Sequence, residues 1–209
     1  MSEHHDHSHA VVTEENSKKL MVALGLTTTF LIVEVVAAFI TQSLALLSDA
    51  AHMFTDVAAL AIALAAIKIG KKAADDKRTF GYQRFEILAA LFNAVMLFVV
   101  AIYIVYEAYQ RFTNPAEIQS VEMMIVAVIG LVVNLISMKI LSASAEGSLN
   151  IKGAYLEVLS DALGSIGVII GGIVIYFTQW MWVDTVIAVL IGFWVLPRTW
   201  ILLKQSINI

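Results

Sequence analysis

His52 and Asp56 stand four residues apart inside one apolar run, and Glu157 and Asp161 stand four apart inside another. On an α-helix that spacing returns a side chain to nearly the same face one turn along, so each pair presents two donor groups to one point. If the two runs lie side by side, one imidazole and three carboxylates converge on a divalent metal ion. Zn²⁺ takes such ligands in a tetrahedron at about 2.0–2.2 Å. Mg²⁺ and Ca²⁺ prefer larger all-oxygen shells and Cu⁺ prefers sulfur, so the set favours Zn²⁺ and admits Co²⁺, Ni²⁺, Mn²⁺ or Fe²⁺. Cysteine is absent, which removes thiolate sites and disulfides together. Met53 offers a thioether, but one residue on from His52 it points to another face. A single ionisable group in a membrane helix often serves only as a hydrogen bond between helices, at a cost of about 2.5–3.5 kcal/mol. Two pairs of ligand type at helical spacing weigh against that plainer explanation.

The elements that must position these pairs are membrane helices. Sixty per cent of the residues are hydrophobic and 14% charged, with a mean hydropathy of +0.84, against about 25% charged in soluble domains. Charge-poor windows long enough to cross about 30 Å of hydrocarbon run from Leu20 to Ile40, Leu44 to Ile67, Ile87 to Tyr106, Met123 to Leu141, Tyr155 to Phe177 and Thr185 to Leu203. The expected fold is an all-α, six-helix transmembrane bundle. Thr41, Gln42 and Ser43 alone join the first two spans, and Asn114-Pro115 breaks the chain between the third and fourth. Every basic residue except Arg111 falls on one side of the six spans. The positive-inside rule makes that side, with both termini, cytoplasmic. Residues 1–17 form an expected disordered tail, residues 18–209 the transmembrane domain, and no soluble domain is expected after it. No apolar signal segment opens the chain. The net charge of −4 and the lack of a basic stripe argue against nucleic acid as a partner.

Three carboxylates crowded in a low-dielectric site cannot all stay ionised without a cation, and metal binding needs deprotonated ligands. A site alternating between the two membrane faces therefore exchanges metal against protons. The tail holds His4, His5, His7 and His9, every histidine except His52; it is either a loose collector of cytosolic metal or a plain solvated segment. Asp49, Glu34 and Asn134 can support the ligands, line an access path, or simply bridge helices. Asp184, at the outer edge of the sixth span, either attracts exiting cations or marks the interface. Gly164, Gly167, Gly171 and Gly172 give the fifth span small-residue faces for close packing. Trp180 and Trp182 suit the outer boundary.

The runs Ser43-Leu-Ala-Leu-Leu-Ser-Asp49-Ala-Ala-His52-Met-Phe-Thr-Asp56, Phe80-Gly-Tyr-Gln-Arg-Phe-Glu86, Gly-Leu-Val-Val-Asn134 and Gly153-Ala-Tyr-Leu-Glu157-Val-Leu-Ser-Asp161-Ala-Leu-Gly-Ser165 resemble the cation diffusion facilitator family, in its zinc, cobalt and cadmium resistance branch. The resemblance covers the chain from about the first span to its end. It implies a six-helix zinc/proton antiporter, usually a homodimer, of the bacterial cytoplasmic membrane. His52 and Asp56 match the family's second-helix ligands and Asp161 its fifth-helix aspartate. Glu157 departs from the histidine many members carry there, which shifts metal preference or proton number. A further departure is that members commonly continue into a cytoplasmic ferredoxin-like domain. Without it, dimerisation would rest on the membrane helices.

The expected function is efflux of a divalent cation, zinc first, against protons, with the metal as substrate and no cofactor. Transport selective for Co, Cd, Ni, Mn or Fe is an alternative, as is a passive metal channel. A non-transporting metal receptor is a third class. An intramembrane metallohydrolase needs an open metal position beside a general base, and no His-Glu-x-x-His motif occurs; an enzyme is not expected.

Overall fold

The computed structural model describes the backbone of residues 14–70, 81–145 and 149–207, and side chains within 18–58, 95–142 and 151–194 together with residue 61. The histidines at 4, 5, 7 and 9 lie outside the described residues, as does the centre of the basic connection at 71–80. Six helices follow in order: α1 (Glu14–Thr41), α2 (Leu44–Gly70), α3 (Gly81–Thr113), α4 (Ser120–Ala145), α5 (Leu149–Thr178) and α6 (Trp182–Ile207). There is no strand among the described residues. Each expected span lies within one helix, and α1 starts at Glu14, inside the segment expected to be tail.

The stretches Lys18–Thr41, Val95–Thr113, Ser120–Ser142 and Ile151–Thr178 are each long and apolar enough to cross a bilayer. Many of the large side chains turned outward are apolar, Ile32, Phe39, Val105, Phe112, Leu163, Phe177 and Phe193 among them. Buried side chains include Glu34, Asp49, His52, Asn134, Ser137, Asp161 and Asp184. This inversion of the soluble pattern is what a hydrocarbon solvent selects, because lipid accepts apolar surface and polar groups must find partners inside.

The α1–α2, α3–α4 and α5–α6 connections gather at one end of the bundle, called here the hairpin end. Gln42 ends α1 in the left-handed region, with φ of 56°, and Gln179 ends α5 in the same way, with φ of 58°. After Gln42 the Ser43 amide donates back to the Ala38 carbonyl at 3.1 Å, a closure that satisfies an otherwise orphaned helix carbonyl. Ser43 then starts α2: its Oγ accepts from the Leu46 amide at 3.1 Å, the N-cap bond of a helix start. Two residues thus turn the chain through a full reversal.

Packing along the bundle occurs in layers. Near the hairpin end Ala37, Leu44, Leu46, Ile104, Met123, Val168, Ile175 and Ala188 bury one another, drawing on all six helices. Toward the other end Leu20, Ala23, Leu141, Ile151 and Ala154 close α1 against α4 and α5. Between them lies the polar middle. The α5 glycines set its spacing. A Cβ on Gly172 would strike Met124, one on Gly171 would strike Ile187, and one on Gly164 would lie 2.6 Å from Asp49 Oδ1, whereas Gly167 has open space. Three of the four glycines therefore seat α4, α6 and α2 side chains against the α5 backbone.

Candidate metal centre

His52 and Asp56 rise from successive turns of α2, and Asp161 reaches them from α5. His52 Nε2 stands 3.6 Å from Asp56 Oδ2 and 3.7 Å from Asp161 Oδ1. The three side chains offer donor atoms all within 4.8 Å of one another. Ligands at zinc-type bond lengths on a tetrahedron lie about 3.3–3.6 Å apart, so the two imidazole–carboxylate separations are already close to that range. The side chains of His52 and Asp161 are 5% and 3% exposed. Asp161 Oδ1 has no hydrogen-bond donor in the structure, although a buried carboxylate oxygen is costly to leave unsatisfied. A cation is the partner that suits it.

Glu157 is partly buried and lies outside this group of three. It sits one turn of α5 from Asp161, toward the chain termini, so the fourth expected donor borders the cluster rather than joining it. Behind His52, Ser48, Leu97, Ala101, Ile104, Val189 and Gly192 line an apolar cavity between α2, α3 and α6.

Glu34, Asp49 and Asn134 are all buried near the centre. The Glu34 and Asp49 carboxyls hydrogen-bond to each other across the α1–α2 hairpin. Asn134 is fully buried with neither side-chain atom partnered, and Ser137 Oγ, one turn along α4, is in the same condition. α4 and α5 run antiparallel, with Gly172 against Met123 and Met124 and Leu141 against Ile151 and Ala154. That register places Asn134 level with Asp161. Ser137 was not singled out from the sequence, and its signal was the i,i+3 spacing to Asn134 on an otherwise apolar helix.

Asp184 is placed away from the cluster, at the hairpin end, and is fully buried. It accepts from Ser43 Oγ at 2.6 Å, from the Leu44 amide at 2.7 Å, from the Ala45 amide at 3.2 Å and from Arg111 Nη1 at 3.3 Å. Its carboxylate caps α2 and ties α6 and α3 to it. Arg111 also donates to the Gln42 carbonyl at 2.8 Å and pairs with Glu107 at 3.1 Å. Sequence reasoning missed this clasp. Its signals were a serine before an apolar run and the lone cation of that end.

The chain matches the cation efflux transmembrane domain over residues 20–209. It is 64% identical to the metal cation efflux system protein CzcD of Cupriavidus metallidurans, over 98% of this chain and 64% of that protein. It is 42% identical to the cadmium, cobalt and zinc/H(+)-K(+) antiporter of Bacillus subtilis, over 93% of this chain and 63% of the relative. Identity to the zinc transporter ZitB of Escherichia coli is also 42%, over 98% of this chain and 66% of the relative. The chain thus spans about two thirds of the length of these relatives, all named as transport proteins of bacteria. With its buried acids, lipid-type surface and matched domain, the chain is a multi-pass integral membrane protein that belongs to the cation efflux family.

Proposed function

We propose that this chain moves a divalent cation, zinc first, out of the cytoplasm in exchange for protons. One observation carries the reading: an imidazole and two carboxylates from α2 and α5, buried in mid-bundle, bring their donor atoms within 4.8 Å. The distances favour a small tetrahedral ion, with Glu157 as the fourth ligand after a side-chain movement. Zinc, cobalt and cadmium appear in the names of relatives, and a carboxylate at position 157 widens the choice toward harder ions. Because the ligands bind metal only when deprotonated, each ion that enters displaces protons. Both termini are cytoplasmic in this proposal, following the distribution of basic residues, and the chain works as a homodimer joined through its helices.

The test is zinc uptake by proteoliposomes holding the full chain and a pH dye, repeated with a panel of divalent ions. Saturable zinc flux with protons moving the other way supports the proposal. Flux without proton movement indicates a channel, and binding without flux a receptor; either overturns it.

A further inference from the structure

Glu34 and Asp49 form a second acidic site outside the group of converging metal donors. Glu34 is 1% exposed and Asp49 2%. They come from opposite arms of the tight α1–α2 hairpin and hydrogen-bond carboxyl to carboxyl. A hydrogen bond between two carboxyls needs a proton on one of them, because two carboxylates offer acceptors and no donor. Asp49 is held against α5 where Gly164 lacks a side chain: a Cβ there would lie 2.6 Å from Oδ1. Glu34 Oε2 remains buried and without a partner. Asp49 precedes His52 by three residues, about 4.5 Å along the helix axis, on the side of the hairpin end.

We propose that Glu34 and Asp49 are the seat of an exchanged proton, a site separate from the metal ligands and one turn nearer the hairpin end. The inference rests on the proton-exchange reading above and adds to it where one of the protons resides. In the loaded form Glu34 and Asp49 share one O–H···O⁻ bond. When a dication enters the centre below, its field favours two carboxylates, and that proton leaves as H⁺ with no other bond changed. When the metal departs, the bare pair of like charges takes a proton back. The other titratable groups facing the pair are His52 and Asp56 along α2 and Asp161 on α5. On α4 the described acid and base, Glu122 and Lys139, lie on the exposed side, and on α6 Asp184 is bound at the hairpin end.

The test compares the full-length chain with Glu34→Gln, Asp49→Asn and the double variant, each of which keeps a side chain able to hydrogen-bond in the same place. Zinc is added to purified protein in weak buffer, and bound zinc and released protons are counted together. The expected result is a zinc Kd within about 100-fold of the unaltered chain with about one proton fewer released per zinc. Unchanged proton release in all three variants overturns the inference, as does a larger loss of zinc affinity, which would place the pair in the metal site itself. If the unaltered chain releases no protons on binding zinc, it is the exchange reading that fails. If it does release them and the variants match it, only the seat assigned here is wrong. A circular dichroism melt confirms that each variant is folded before counting, and Glu34→Asp, which keeps both carboxyls, is expected to restore the lost proton.

Discussion

Replacing Asp161 by alanine removes the only one of the three converging donors that comes from α5. His52 and Asp56 remain, but they are neighbours on one helix and make no tertiary site. The carboxylate oxygen stands 3.7 Å from the imidazole nitrogen, so an ion on that nitrogen has it within about 4 Å. A unit charge pair at that distance contributes about 4 kcal/mol at an effective dielectric of 20. The dication doubles this, and the proton it must displace takes roughly half back, leaving about 4 kcal/mol, or nearly a thousandfold in Kd. Thermal stability in detergent reads the difference. At zinc equal to about 100 times the original Kd, binding stabilises the unaltered protein by about 2.7 kcal/mol, and the variant by under about 0.1 kcal/mol. Without metal the variant should be at least as stable, because one of two crowded acids is gone. Cobalt gives an independent reading, since its visible absorption reports a tetrahedral donor set and should vanish. An Asp161→Ala protein that keeps its zinc-induced shift and its cobalt bands would refute the placement of the site.

Three further outcomes follow from the packing and the ligand set. Gly164→Ala should lower the melting temperature by the equivalent of about 1–3 kcal/mol, the usual cost of overpacking, because its Cβ would meet Asp49; Gly167→Ala, with open space, should be neutral or stabilising in the same assay. Asp184→Ala leaves Ser43 and the Leu44 and Ala45 amides without their acceptor and removes one of the partners of Arg111, and should destabilise by about 3–5 kcal/mol, with Asp184→Asn recovering part of this in the same melts. Glu157→His should retain metal binding and alter the ranking of zinc, cobalt and manganese in competition titrations.

Much of this architecture is legible in the sequence because a bilayer leaves few alternatives. Six apolar windows predict six helices, since no other open structure satisfies a backbone in hydrocarbon, and the structure has a helix at each. The meeting of His52, Asp56 and Asp161 was also foreseeable, as ionisable groups on two membrane helices are drawn to one interior. Glu157 lies outside the group of three. A spacing of four fixes a shared face but not the height at which a neighbouring helix crosses it, and α5 meets α2 nearer Asp161. Gln42 was equally opaque, because a left-handed helix end usually announces itself with glycine. Here Arg111, distant in sequence, binds the Gln42 carbonyl and holds the turn. The role of Asp184 depends on which helix end α6 lies beside, a tertiary fact.

The two polar regions of the bundle are built on opposite rules. At the hairpin end the buried carboxylate of Asp184 has four donors and the α2 amides have acceptors, an arrangement that fixes three helices together. In mid-bundle, Asn134 and Ser137 lack hydrogen-bond partners, as do one oxygen of Glu34 and one of Asp161. Static packing gains nothing from such groups, since each unsatisfied buried donor or acceptor costs about 1–3 kcal/mol. They are accounted for if their partners come and go. The apolar layer of all six helices separates this middle from the hairpin end. Gly164, Gly171 and Gly172 bring the α5 backbone against α2, α6 and α4 in turn, on the helix that also carries Asp161.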